Sequence, residues 1–297
     1  MTLPNFLIIG APKAGTTSLK YALAEHPEVF MAPDKPVSEP HFLSYGFDQW
    51  PNWAIKDQAT YEALFDEAGD AKAVGEKSTW YLFSQQTPEH VARTLPGVKA
   101  IAMLRDPVGR AYSSYRFNLQ LGMDSVQSFD DALALEEQRA AQGCGFDLRY
   151  FEAGLYAQQL QRWFDALGRE RVLVLIFEDL IHDPSSHLRE ASAFLGIDES
   201  RKVEPSHRNK TTAVRSPKVL RMVNKARTEL SWLPGPLKKI ASKTVSRLNS
   251  SDKAPPPLAP ATAKALAERY TPDVEALSAV LDRDLRSVWL ARHLGED

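Results

Sequence analysis

Residues 6–19 read Phe6-Leu7-Ile8-Ile9-Gly10-Ala11-Pro12-Lys13-Ala14-Gly15-Thr16-Thr17-Ser18-Leu19, and this stretch decides the fold. An apolar run from Phe6 to Ile9 predicts a strand buried on both faces, the habit of parallel sheets. Gly10 and Gly15 then frame a loop, and Thr16 to Glu25 reads as a helix. A loop of this kind, between a strand and a helix N-terminus, presents backbone N–H groups and the positive end of a helix dipole to an anion. The glycine spacing is that of a nucleotide phosphate loop, but Thr16 stands where the triphosphate-binding version has lysine. Lys13 sits inside the loop instead. With no lysine placed to reach β and γ phosphates, the loop suits a nucleotide carrying one 5′-phosphate and a short anionic extension.

Outward from this loop, short apolar runs alternate with longer helical patterns. Ala73 to Gly75, Val98 to Leu104 and Val172 to Phe177 are the further candidate strands. Thr60 to Glu67, Pro88 to Thr94, Pro107 to Leu121, Ser128 to Ala141 and Tyr150 to Leu167 are the candidate helices, several with proline or an acidic pair in the first turn. The alternation predicts an α/β three-layer sandwich with a central parallel sheet. No linker appears before the proline-rich stretch near residue 255, so the reading is a single domain over 1–297 with a helical C-terminal extension from about Ser216. That extension carries Lys238, Lys239, Lys243 and Arg247, a basic stretch suited to a solvated face or to peripheral contact with a membrane surface or acidic partner. The proline run Pro255-Pro256-Pro257 precedes a last helical pattern that ends near Trp289.

Two more strand ends carry chemistry. Val98 to Leu104 runs into Arg105-Asp106-Pro107-Val108-Gly109-Arg110-Ala111-Tyr112-Ser113. An arginine at a strand's carboxyl end faces the crevice where open α/β sheets bind ligands, and its fork fits a phosphate monoester. Arg110 and Ser113, three apart on the following helix, share a face. The other strand end is Gly75-Glu76-Lys77-Ser78-Thr79-Trp80-Tyr81, where Glu76 faces the same crevice as a candidate general base. His41, within Ser38-Glu39-Pro40-His41-Phe42-Leu43, titrates near neutral pH and is the rival base or a residue lining the acceptor side, as is Glu39. Trp50, Trp53, Trp80 and Tyr81 are candidates for an aromatic platform or for the core.

A net charge of −2 gives no global field that would draw the chain to nucleic acid, so an anionic ligand must be held by local charges. Cys144 is the single cysteine, which excludes an internal disulfide and a cysteine-rich metal site and fits a reducing compartment. No histidine and carboxylate cluster has metal-ligand spacing. The run from Met1 into Asn5 lacks a basic n-region and a long apolar segment, so the expected location is cytoplasmic, with no integral membrane segment.

The loop Pro12-Lys13-Ala14-Gly15-Thr16-Thr17-Ser18-Leu19 resembles the 5′-phosphosulfate loop of sulfotransferases that use 3′-phosphoadenosine 5′-phosphosulfate (PAPS), a family with a P-loop kinase-like fold. The resemblance implies that Lys13, Ala14, Gly15, Thr16, Thr17 and Ser18 hold the 5′-phosphate, with Lys13 also touching the bridging oxygen. Arg105 and Ser113 match the family's 3′-phosphate motif, which accounts for PAPS over ATP. Glu76-Lys77-Ser78 looks like the pattern of the glycan-type and bacterial branch, which implies Glu76 as base with Lys77 supporting transfer to a glycan, glycolipid or secondary-metabolite hydroxyl. The segment around His41 is similar to Lys-Glu-x-x-Phe-Phe, with Ser38 and Leu43 as departures. Lys210, in Arg208-Asn209-Lys210-Thr211-Thr212, falls at the family's late PAPS-binding loop, without its glycine. The implied reaction is in-line sulfuryl transfer to an acceptor hydroxyl, leaving 3′-phosphoadenosine 5′-phosphate (PAP) and needing no metal. The rival readings are a P-loop small-molecule kinase and a non-catalytic nucleotide-binding protein.

Overall fold

In the computed structural model, residues 2–46, 54–199, 213–214, 250–251 and 256–296 are described. Five parallel strands form the central sheet: β1 (Phe6–Gly10), β2 (Val29–Met31), β3 (Ala73–Lys77), β4 (Lys99–Leu104) and β5 (Val172–Ile176), in the order β2-β3-β1-β4-β5. Because all pairs are parallel, every strand delivers its carboxyl end to one edge, and there the sequence placed its phosphate loop, Glu76, Lys77 and Arg105. The strand leading into the phosphate loop is central, and all five of its residues are fully buried or nearly so. Register sets Ile8 beside Lys77 and Gly10 beside Ala102, so the first loop lies between the other two candidate strand ends.

The helices cover both faces. Helix α1 (Thr16–Ala24) follows the phosphate loop, α2 is Gln58–Glu62 and α3 (Thr87–Thr94) follows β3. Helix α4 (Pro107–Leu121) follows β4, with the Asp106 side chain accepting from the N–H groups of Val108 and Gly109 and Pro107 at its first position. The expected helix from Ser128 to Ala141 is two, α5 (Phe129–Ala134) and α6 (Glu136–Ala141). Its neighbour begins late, as α7 (Tyr156–Leu167), because the chain first makes a 3-10 turn at Glu152–Gly154. A side chain on Gly154 would collide with the Tyr270 hydroxyl at 2.7 Å. Helices α8 (Phe177–His182) and α9 (Pro184–Leu195) follow β5.

From Pro260 the tail is no appendage. Helix α10 (Pro260–Leu281) buries Leu266, Tyr270, Val274 and Leu277 in the same core as the sheet, and α11 (Leu285–Trp289) and α12 (Ala291–Leu294) follow it. Asp273 of α10 accepts from the N–H groups of Tyr156 and Ala157, capping α7 from another element. The basic stretch holding Lys238, Lys239, Lys243 and Arg247 lies outside the described residues, as do Lys210, Trp50 and Trp53. Among the described residues no helix is long and apolar enough to cross a membrane.

Candidate active site

The phosphate loop turns on two unusual residues. Lys13 has a left-handed backbone at φ 69°, and Gly15, the N-cap of α1, has φ 90°. A Cβ at Gly15 would lie 2.7 Å from the Phe177 ring, so glycine is required by both conformation and space. With no side chain capping it, the first turn of α1 keeps its N–H groups directed at the loop. Thr16 is buried, while Thr17 and Ser18 remain partly exposed beside the loop.

Three cations converge here. Arg105 leaves β4 and donates to the Lys13 carbonyl at 3.2 Å, with its guanidinium 4.9 Å from the centre of the Phe177 ring. One ring therefore backs both Gly15 and Arg105. The Lys13 ammonium lies 3.9 Å from the centre of the Phe117 ring on α4. Burial, and then the charges of Arg105 and Arg116, push the Lys13 ammonium down to about 8. Ser113 lies half-buried on α4, two turns beyond the Asp106 cap. Arg110, one turn before Ser113 on the same helix, is fully buried and its guanidinium donates to the Tyr150 carbonyl, so it does not join the cations at the loop.

The turn that presents Arg105 is held from several sides. The Arg105 carbonyl accepts from the Tyr156 hydroxyl at 3.0 Å, and the Asp106 N–H donates to Glu178, whose other oxygen accepts from the Trp289 indole. The Asp106 carboxylate also meets Arg292 and His293 of α12. These pairings fix the strand end against rotation.

At the end of β3 the two acidic candidates part company. Glu76 has no exposed surface. Its oxygens accept from Tyr81 at 2.7 Å, Ser78 at 2.8 Å and Tyr61 at 3.4 Å. Burial pushes its carboxyl above the usual range, against the pull of those hydroxyl donors. Glu39 instead keeps 25% of its side chain exposed. It pairs with Lys77, accepts from the N–H and hydroxyl of Thr79 at 2.9 and 2.7 Å, and meets His41 Nε2 at 3.3 Å. Burial alone would raise its carboxyl, but Lys77 and His41 hold it well below the ordinary range. Lys13 feels the charges of both Glu39 and Lys77, which joins this end to the phosphate loop.

His41 is buried, with left-handed backbone at φ 51°, its N–H donating to Ser78 and its ring against Glu39. Trp80 and Tyr81 are buried as well, so neither forms an exposed platform, and the Tyr81 hydroxyl is spent on Glu76. Sequence reading missed Arg116, whose signal was its place three residues after Ser113 on α4. It also missed Phe117 under Lys13, and the pairing of Glu39 with Lys77 across 38 positions.

With this geometry in view, the comparisons agree. Residues 3–275 match the family model described as "Sulfotransferase domain", and the chain belongs to that family. A solved sulfotransferase from Alicyclobacillus acidocaldarius is 30% identical, covering 97% of this chain and 99% of its own, at a TM-score of 0.76. Human heparan sulfate glucosamine 3-O-sulfotransferase 3B1 is 29% identical over 195 residues, 66% of this chain and 46% of its own length. Human bifunctional heparan sulfate N-deacetylase/N-sulfotransferase 2 is 30% identical over 66% of this chain and 22% of its own length. The chain thus spans about half or less of the curated relatives it matches.

Proposed function

We propose that the protein transfers a sulfuryl group from PAPS to a hydroxyl of a saccharide acceptor. The observation that carries this reading is the cluster of Lys13, Arg105 and Arg116 at the carboxyl edge of the sheet, so crowded and desolvated that Lys13 is held near 8. Such a cluster is complementary to an anion with more than one charged group, and the residues fit PAPS: an uncapped helix start and Lys13 for the 5′ side, Arg105 and Ser113 for the 3′-phosphate. Magnesium-dependent kinase chemistry is disfavoured because Thr16, at the position of the triphosphate lysine, is buried in α1.

When bound, PAPS supplies an activated sulfuryl group. Lys13 and the loop N–H groups stabilise negative charge that develops on the leaving phosphate. Lys77 pairs with Glu39 and its charge reaches Lys13, so it can add to that stabilisation. Glu39, rather than Glu76, is our candidate for the group that accepts the hydroxyl proton. Geometry comes before basicity for this role, and Glu76 is sealed with both oxygens engaged. Lys77 and His41 keep Glu39 ionised and oriented, so its charge is available throughout the neutral range. A saccharide is favoured as acceptor by the heparan sulfate sulfotransferase activity for which the relatives are named.

Calorimetry with PAP and with magnesium-ATP, followed by a labelled-PAPS transfer screen over saccharide acceptors read by product mass, tests the proposal. PAP is expected to bind tightly and one or more saccharides to gain the mass of a sulfuryl group. Binding of magnesium-ATP with no heat from PAP would overturn it.

A further inference from the structure

A cavity of about 300 Å³ lies beyond Trp80, between the start of α3 and the first turns of α7. Its floor is aromatic: the Phe83 and Phe146 rings meet at 4.5 Å, edge to face, and the Arg149 guanidinium lies 5.6 Å from the centre of each. Arg162 enters from α7 and donates to the Phe83 carbonyl at 3.2 Å, while its buried Nε has no hydrogen-bond partner among the described residues. Burial depresses the Arg162 guanidinium, the sign of a cation short of compensation. Glu152, 3.3 Å from Arg149, is the single carboxylate among the lining residues, against two guanidiniums. The exposed amides of Gln85 and Gln158 complete the rim.

This combination has a specific chemistry. Aromatic faces take the apolar side of a pyranose ring, side-chain amides bond its hydroxyls, and paired guanidiniums bind a carboxylate or sulfate in bidentate fashion. A volume of 300 Å³ is at the lower end for a small-molecule site and suits about one ring. The cavity also adjoins the reacting end. The segment from Phe146 to Arg149 supplies two lining residues, and Asp147 between them bonds the Trp80 indole and feels the charges of His41 and Glu39.

We propose that this cavity is an acceptor subsite for an anionic sugar ring that is not the one being sulfated, since Trp80 and the 146–149 segment stand between it and Glu39. The proposal rests on the saccharide reading above and adds a location and a charge to it. The test compares two tetrasaccharides in transfer assays: one of alternating glucuronate and N-acetylglucosamine, the other neutral chitotetraose. Arg149→Gln and Arg162→Gln are each expected to raise KM for the acidic sugar about tenfold, as loss of a charge-assisted contact should, with kcat and PAP affinity unchanged and chitotetraose unaffected. Gln158→Glu, at an exposed position in the first turn of α7, is expected to raise KM for the acidic sugar severalfold by repulsion. An unchanged KM for the acidic sugar, or an equal rise for both sugars, overturns the subsite. If PAP binds but neither sugar is sulfated, saturation-transfer NMR with the acidic tetrasaccharide separates the two ideas. A signal lost in Arg162→Gln sustains the subsite while the transfer reading fails, and no signal with wild type overturns the subsite alone.

Discussion

Glu76 and Glu39 lie within a few residues' reach of the same Ser78–Thr79 turn, yet one is sealed in the core and the other opens to the crevice. Glu76 is surrounded by hydroxyl donors, with no cation among its hydrogen-bond partners; Glu39 is held by a lysine, a histidine and a threonine. The contrast shows that a carboxylate at a strand's carboxyl end is not thereby open to the crevice. Neighbouring hydroxyls can turn it into a knot that ties the strand to the preceding loop, while a partly exposed carboxylate arrives from a different segment.

The sharpest break between the two is kinetic. Glu39→Gln is expected to lower kcat by about 10²–10⁴, the usual worth of a general base, with PAP affinity little changed. Glu76→Gln, if folded, should keep kcat within about threefold, the residual effect of a shifted neighbour. Steady-state assays and calorimetry check both, and the opposite ranking would exchange the roles.

The donor site supplies a second discriminator. With Lys13 at about 8, its charge is complete below that pH and fades above it, so PAP affinity should fall by up to tenfold for each pH unit beyond 8. Glu39 raises Lys13, so Glu39→Gln should move the onset of that fall to lower pH, whereas Glu76→Gln should leave it in place. A pH series of titrations with PAP reads both onsets.

Stability is the third. Replacing Glu76 by Gln leaves one of Ser78, Tyr61 or Tyr81 poorly paired in the core, at a cost of about 1–3 kcal/mol. Thermal melts should show a fall of several degrees, and an unchanged melting temperature would mean the knot is slack.

The smallest effect is the pH dependence of that loss. Glu76 is raised in the folded state, so its contribution is full in acid and is lost as pH rises through the folded value. Glu39 is lowered, so its contribution is present above the unfolded value and lost as pH falls through the folded one. The melting deficit of Glu76→Gln should therefore shrink as pH rises from acid, and that of Glu39→Gln should grow. Parallel slopes would erase the distinction.

The sheet was largely legible because buried parallel strands are continuous apolar runs, and β1, β3, β4 and β5 all fall where those runs are. β2 escaped because its three residues, Val29 to Met31, are too few for any period to register. Lys13, Gly15 and Arg105 could be read because loop and strand-end positions fix direction locally. The standing of Glu76 against Glu39 could not, since it depends on which rings close over each carboxylate. Tyr61 reaches Glu76 across 15 positions and Lys77 reaches Glu39 across 38, and no local pattern encodes such meetings. The cavity at Arg149 and Arg162 was hidden for the same reason: α3, α7 and the 146–149 segment assemble it from separate stretches.

The bond between His293 and Asp106 closes over 187 positions of chain. At a synthesis rate of about 5–20 residues per second, the ribosome needs roughly 10–40 s to cover that span. Throughout that interval the Asp106 carboxylate that caps α4 lacks its partners on α12. If the proposed donor site needs that closure, a nascent chain would display its glycine-framed loop well before the strand end beside it is fully braced.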